Sequence, residues 1–141
     1  MDQLLKKLNY KKGIVQILNA PAEFNPVIEA WKAECEVVSA PSVAAMASVA
    51  SAAGAKPAVP ADFFIFFVAS AAEAAKLAVE TTLMVGPATV FWVAYPKQTS
   101  KRYKADINRD TLWPILESFG YRPNRQVAID EDWSALRFAK T

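Results

Sequence analysis

The chain has 141 residues, 53% hydrophobic and 21% charged, with a formal net charge of +2 and a pI near 8.7. That length suits one domain, able to bury about two thirds of its unfolded surface without a metal or disulfide, and the mild charge argues against a general nucleic-acid binder. There is no histidine and a single cysteine, Cys35, which removes Ser-His-Asp and Cys-His nucleophile systems, imidazole metal sites, structural zinc and any intrachain disulfide.

Near the N-terminus, Leu4, Leu5 and Leu8 lie at helical spacing among lysines and predict a short amphipathic helix over residues 2–9. Gly13 then opens Ile14-Val15-Gln16-Ile17-Leu18, a first strand stopped at Asn19-Ala20-Pro21. Pro26 suits the first turn of a helix whose apolar face is Val27, Ile28 and Trp31. Residues 35–38 read as a second strand, with Cys35 as a small buried apolar residue. The stretch 41–61, rich in alanine and proline, reads as a connector holding a short helix and a loop.

Phe63-Phe64-Ile65-Phe66-Phe67-Val68 is apolar at consecutive positions, the pattern of an inner strand covered on both faces. Ser70-Ala71-Ala72-Glu73 is a capping-box pattern opening a helix to about Thr82. Gly86-Pro87 breaks the chain before another apolar strand, Thr89 to Ala94. Strand–helix–strand units of this kind are right-handed crossovers that build parallel sheets. Asp110 is placed to cap a helix over Leu112, Trp113, Ile115, Leu116 and Phe119, ended by Gly120. Residues 126–129 and 134–138 predict two short strands around Asp130-Glu131-Asp132.

Three segments stand together in the C-terminal half: Tyr95-Pro96-Lys97; Lys104-Ala105-Asp106-Ile107-Asn108-Arg109-Asp110; and Asp130-Glu131-Asp132-Trp133-Ser134-Ala135-Leu136-Arg137-Phe138. Over residues 88–140 the chain resembles a family of small bacterial proteins classed as a domain of unknown function, which implies a fold rather than an activity. More distantly, the closing strand–helix–strand–strand is similar to the tail of Rossmann-like methyltransferases. Those enzymes need a glycine-rich turn after the first strand; here Asn19-Ala20-Pro21-Ala22-Glu23 has no glycine. The expected architecture is a mostly parallel, Rossmann-like three-layer α/β sheet with helices on both faces and an antiparallel C-terminal strand.

Ligands of open α/β sheets bind beyond the carboxyl ends of the strands. Residues 97–109 leave such an end and carry Lys97, Lys101, Arg102, Lys104 and Arg109 against one acid, Asp106. Tyr95, Lys97, Thr99, Lys104, Asp106 and Arg109, with free amides of the following helix, form a candidate site for an anionic, phosphate-bearing small molecule. The competing reading is a solvated basic loop in which Asp106 pairs with Lys104 or Arg109. Tyr95 and Tyr103 alone are a weak basis for base stacking, so nucleic acid is not expected. Trp133 reads as a core anchor, and Asp130, Glu131 and Asp132 as an exposed turn rather than a hard-cation site.

No cofactor or metal is expected. A second reading is an interaction module: if residues 134–138 lie at the sheet margin, they offer an edge to another copy or another protein. A third, from fold alone, is a degenerate methyltransferase-like protein. No apolar run reaches the roughly 18 residues of a membrane span, and the N-terminus lacks a signal-peptide core. A cytoplasmic protein is the expectation.

Overall fold

In a computed structural model, which describes residues 3–42, 45, 61–81, 84–103 and 106–140, two strands of phenylalanine-rich sequence run side by side. They are β3 (Phe63–Phe67) and β4 (Val90–Pro96), parallel, with Phe63 opposite Val90 and Phe67 opposite Ala94. Every residue of both strands is buried. Such runs need not alternate because helices cover the sheet on each side.

Around this pair, the described residues form a sheet of six strands in the order β2-β1-β3-β4-β6-β5. β1 (Val15–Leu18) pairs in parallel with both β2 (Val37–Ala40) and β3. β6 (Trp133–Lys140) runs antiparallel to β4, and β5 (Tyr121–Ala128) antiparallel to β6. On one face, Phe64, Phe66, Phe91 and Val93 pack with Leu77 of α3 (Ala71–Thr81) and Leu112 and Leu116 of α4 (Arg109–Glu117). On the other, Phe63, Ile65, Phe67 and Trp92 meet Leu5 of α1 (Gln3–Lys7) and Ile28 and Trp31 of α2 (Asn25–Lys32). The Trp92 indole N–H donates to the Leu8 carbonyl at 2.8 Å, so this buried ring leaves no polar atom unpaired.

Several boundaries differ from the expectation. β2 begins at Val37, so Cys35 precedes it and stays half-buried. The expected connector falls largely outside the described residues. The C-terminal hairpin is longer than sequence alone implies, because Arg122, Asn124, Arg125 and Gln126 lie on exposed positions of β5 and mask its strand pattern. α4 is capped by Asn108, not Asp110. Asn108 Oδ1 accepts from the amides of Asp110 (2.8 Å) and Thr111 (3.1 Å), while Thr111 Oγ1 accepts from the Asn108 amide (2.8 Å). That reciprocal box uses amides a ligand would otherwise meet.

The proposed edge is also displaced. β6 is an inner strand, paired on both sides; β5 is the margin on its side and β2 the margin on the other. β5 carries Pro123, Arg122, Arg125 and a register shift between Pro123 and Arg125. Proline, charge and an irregularity are devices that discourage edge-to-edge pairing.

Candidate functional site

β4 ends at Pro96, and the chain leaving it closes a cleft of about 550 Å³. β4 supplies Tyr95, the following loop Lys97, Gln98 and Thr99, the start of α4 Asn108, Arg109 and Asp110, and the terminal hairpin Gln126, Ala128 and Ser134. These positions meet because β6 is antiparallel to β4 in a register that sets Ser134 opposite Tyr95. The β5–β6 turn therefore lies at the same rim as the loop after β4. The volume is that of a small-molecule site.

The floor is a connected set of neutral groups. Tyr95 is 3% exposed. Gln126 Nε2 donates to the Tyr95 hydroxyl at 3.0 Å and to Ser134 Oγ at 3.3 Å, and Ser134 Oγ donates to the Val127 carbonyl at 3.3 Å. Burial pushes the Tyr95 hydroxyl above its ordinary pKa, opposed by its hydrogen bond with Ser134 and by the Arg109 charge, so it stays a neutral O–H at physiological pH. At the rim, Arg109 Nη1 donates to Gln126 Oε1 at 3.3 Å, and Arg109 Nε lies 3.7 Å from Asp110 Oδ1. Lys97, half-buried, has no ion pair among the described residues.

The loop is held from outside the cleft by acids. The Lys97 amide donates to the Asp132 carbonyl (2.7 Å), and Ser100 Oγ to Asp132 Oδ1 (2.7 Å). Arg102 lies 3.6 Å from Glu23 and 3.7 Å from Asp132. Asp130 Oδ1 in turn accepts from the amides of Asp132 and Trp133, both at 2.8 Å, fixing the hairpin turn.

Of the residues singled out in the sequence, Tyr95, Lys97, Thr99 and Arg109 line this cleft. Asp106 does not: its Oδ1 accepts from the Ala71 amide at 2.8 Å. A carboxylate there satisfies an unpaired donor at the start of α3 and suits the helix dipole; of the two pairings in the competing reading, that with Arg109 is not formed among the described residues. Lys104 lies outside the described residues. The free helix amides expected at the site are occupied by Asn108. Gln126 and Ser134 complete the floor but were not singled out as ligand contacts, since only strand register brings them to Tyr95. Among the described residues, no group of three acids or cysteines is placed to hold a metal ion.

No family model and no curated protein matches the chain. Solved structures do. A S-adenosylmethionine-dependent methyltransferase from Aquifex aeolicus is 17% identical with a TM-score of 0.59, over 99% of this chain and 88% of that one. A ribosomal protein methylase from Lactobacillus delbrueckii subsp. bulgaricus is 12% identical with a TM-score of 0.55, over 97% and 74%. A tRNA methyltransferase of B. subtilis is 8% identical with a TM-score of 0.57, over 100% and 67%. The chain has a Rossmann-like, methyltransferase-like fold.

That fold implies a nucleoside-type methyl donor at the switch point of the sheet, beyond the first strand. Here the strand order reverses between β1 and β3. Asn19, at φ 61°, donates from Nδ2 to the Phe67 carbonyl at 2.8 Å, tying the ends of those two strands together. Phe24 packs on Phe67 (4.8 Å between centroids), Phe67 on Trp133 (5.2 Å), and Trp133 on Tyr103 (5.0 Å). The Trp133 indole donates to Glu23 at 3.4 Å. β2 ends at Ala40 and is followed by Pro41-Ser42, with no acid for a ribose. The residues present do not fit that cofactor.

Proposed function

We propose that this chain is a small-molecule-binding domain, without catalysis of its own, whose ligand carries an anionic group. One observation carries the reading: a neutral hydrogen-bonding floor, in which the buried Tyr95 and Ser134 meet the exposed Gln126, joined by Gln126 to a cationic rim of Arg109 and Lys97. A phosphate or carboxylate met by Lys97 and Arg109 gains charge-assisted hydrogen bonds. The floor is then free to contact the polar, uncharged part of the same molecule. Asp110 partly offsets the rim charge, which suits a singly or doubly charged small molecule better than a polyanion.

The test is thermal unfolding and titration calorimetry with inorganic phosphate, sugar phosphates and nucleotides. Saturable stabilisation is expected, weakened by added salt and by Lys97→Ala or Arg109→Ala. Absence of any shift across the panel overturns the reading.

A second reading is a module that joins another copy or another protein. Trp113, 44% exposed on α4, supports it, whereas the features of β5 weigh against pairing through that edge of the sheet. Gel filtration with light scattering decides: a monomer at all concentrations removes homodimerisation. The methyltransferase-like reading reduces to the fold, given a first turn without glycine and no acid after β2. No helix among the described residues is long and apolar enough to cross a membrane, in keeping with our proposal of a cytoplasmic protein.

A further inference from the structure

The chain has four tryptophans, and three are buried: Trp31 and Trp92 fully, Trp133 to 3% exposure. Trp113 alone is open to solvent, at 44%. It sits one turn into α4, where an ordinary helix would show a polar residue. Its indole N–H donates to Glu117 Oε2 at 2.9 Å, one turn further on, which restrains the ring against the helix. Trp113, Pro123 and Leu136 form the apolar part of a second, smaller groove of about 360 Å³. Its polar border is made of Arg109, Asn124, Arg125 and Gln126.

Two of those border residues, Arg109 and Gln126, also line the polar cleft. The two hollows are therefore adjacent, separated by the Arg109–Gln126 hydrogen bond of 3.3 Å. Arg125 has no ion pair among the described residues. A fixed indole edged by two guanidinium groups favours a flat, electron-rich ring, by stacking on the tryptophan and by cation–π contact with arginine. The adjoining Lys97 and Arg109 favour phosphate.

We infer that the cleft and the Trp113 groove are two halves of one site for a planar aromatic group joined to a phosphate, of the nucleoside monophosphate class. The phosphate lies against Lys97 and Arg109, the sugar hydroxyls over Gln126 and Ser134, and the base on Trp113 beside Pro123. This rests on the anion-binding reading above and names the ligand class for it. The site is separate from the switch point, where the fold places a methyl donor.

The experiment titrates the full chain with adenosine, guanosine, cytidine and uridine monophosphates, with ribose 5-phosphate and with adenosine, following heat and acrylamide quenching of tryptophan fluorescence. At least one monophosphate should bind about ten-fold or more tightly than ribose 5-phosphate, as a base stacked on one aromatic ring allows. It should also shield the exposed tryptophan from acrylamide. Trp113→Ala should erase the preference over ribose 5-phosphate while leaving ribose 5-phosphate binding itself unchanged, and Trp113→Phe should retain part of that preference. Equal binding of ribose 5-phosphate and every monophosphate, with unchanged quenching, overturns the aromatic half and leaves the anion site standing. Adenosine binding as tightly as its monophosphate, with shielding, keeps the aromatic groove and overturns the anion site. No binding by any of them overturns both.

Discussion

Gln126 joins the exposed Arg109 to the buried Tyr95: its Oε1 accepts from the guanidinium at 3.3 Å and its Nε2 donates to the phenol at 3.0 Å. One amide thus fixes the direction of a rim cation and satisfies a floor hydroxyl. The two roles respond differently to substitution. Gln126→Leu leaves Tyr95 and Ser134 without that donor and should cost about 1 kcal/mol of stability, with ligand affinity falling about ten-fold. Arg109→Ala removes an exposed, 3.7 Å ion pair with Asp110 and the exposed 3.3 Å hydrogen bond to Gln126 and should change stability by less than about 1 kcal/mol. Its affinity loss should shrink as salt is raised. Unfolding curves and calorimetry at two ionic strengths distinguish the variants.

The loop that closes the cleft is anchored by two caps. Asn108→Ala removes the acceptor for the Asp110 and Thr111 amides and should destabilise by about 1 kcal/mol. Asp106→Ala uncaps the Ala71 amide, with a similar cost of about 1 kcal/mol. Because Asp106 does not line the cleft and its carboxylate bonds to Ala71, its variant should weaken ligand binding only by loosening the loop. Adding salt should therefore leave its relative affinity loss unchanged, unlike that of Arg109→Ala.

Stability should be insensitive to tyrosine titration at neutral pH and fall in alkali. Burial raises the pKa of Tyr95, and burial alone raises that of Tyr121, above the ordinary 10.0. A phenol whose folded pKa is raised contributes fully below its unfolded pKa; the unfolded chain ionises first, and that contribution is lost as pH rises from about 10 through the folded value. Tyr121 is 1% exposed, and its hydroxyl has no hydrogen-bond partner among the described residues. Tyr121→Phe should therefore be neutral or stabilising by up to about 1 kcal/mol and should reduce the alkaline loss. A clear destabilisation near neutral pH would count against an unpartnered hydroxyl.

S-adenosylmethionine should give no thermal shift, since the turn after β1 has no glycine and no acid follows β2. Asn19, which ties the ends of β1 and β3, allows a graded check on the rigidity of that turn. Asn19→Gly loses only the 2.8 Å bond to Phe67 and should cost about 1 kcal/mol. Asn19→Ala also places a methyl side chain at φ 61° and should cost about 1 kcal/mol more. Neither variant should gain methyl-donor binding.

The inner strands were legible because Phe63–Val68 and Thr89–Ala94 are apolar at consecutive positions, and only burial on both faces accounts for that. The β5 strand was harder to read. Its solvent face carries Arg122, Asn124 and Arg125, and its burial alternates irregularly through the register shift. The basic loop was legible as charge. Its partners were not, because Glu23 and Ala71 lie far away in sequence and no local rule pairs them with Arg102 and Asp106.

By itself, the sequence determined the class of fold, the parallel pair at its centre, the absence of histidine chemistry and the segment leaving β4 where ligands would gather. These follow from local quantities: hydrophobic period, breaker residues and residue inventory. Only the tertiary structure decided which members of that segment face the cleft, that Asn108 occupies the helix amides, and that Gln126 and Ser134 lie beneath Tyr95. Those outcomes depend on the antiparallel register of β4, β6 and β5. A shift of one residue in that register would turn every side chain to the opposite face.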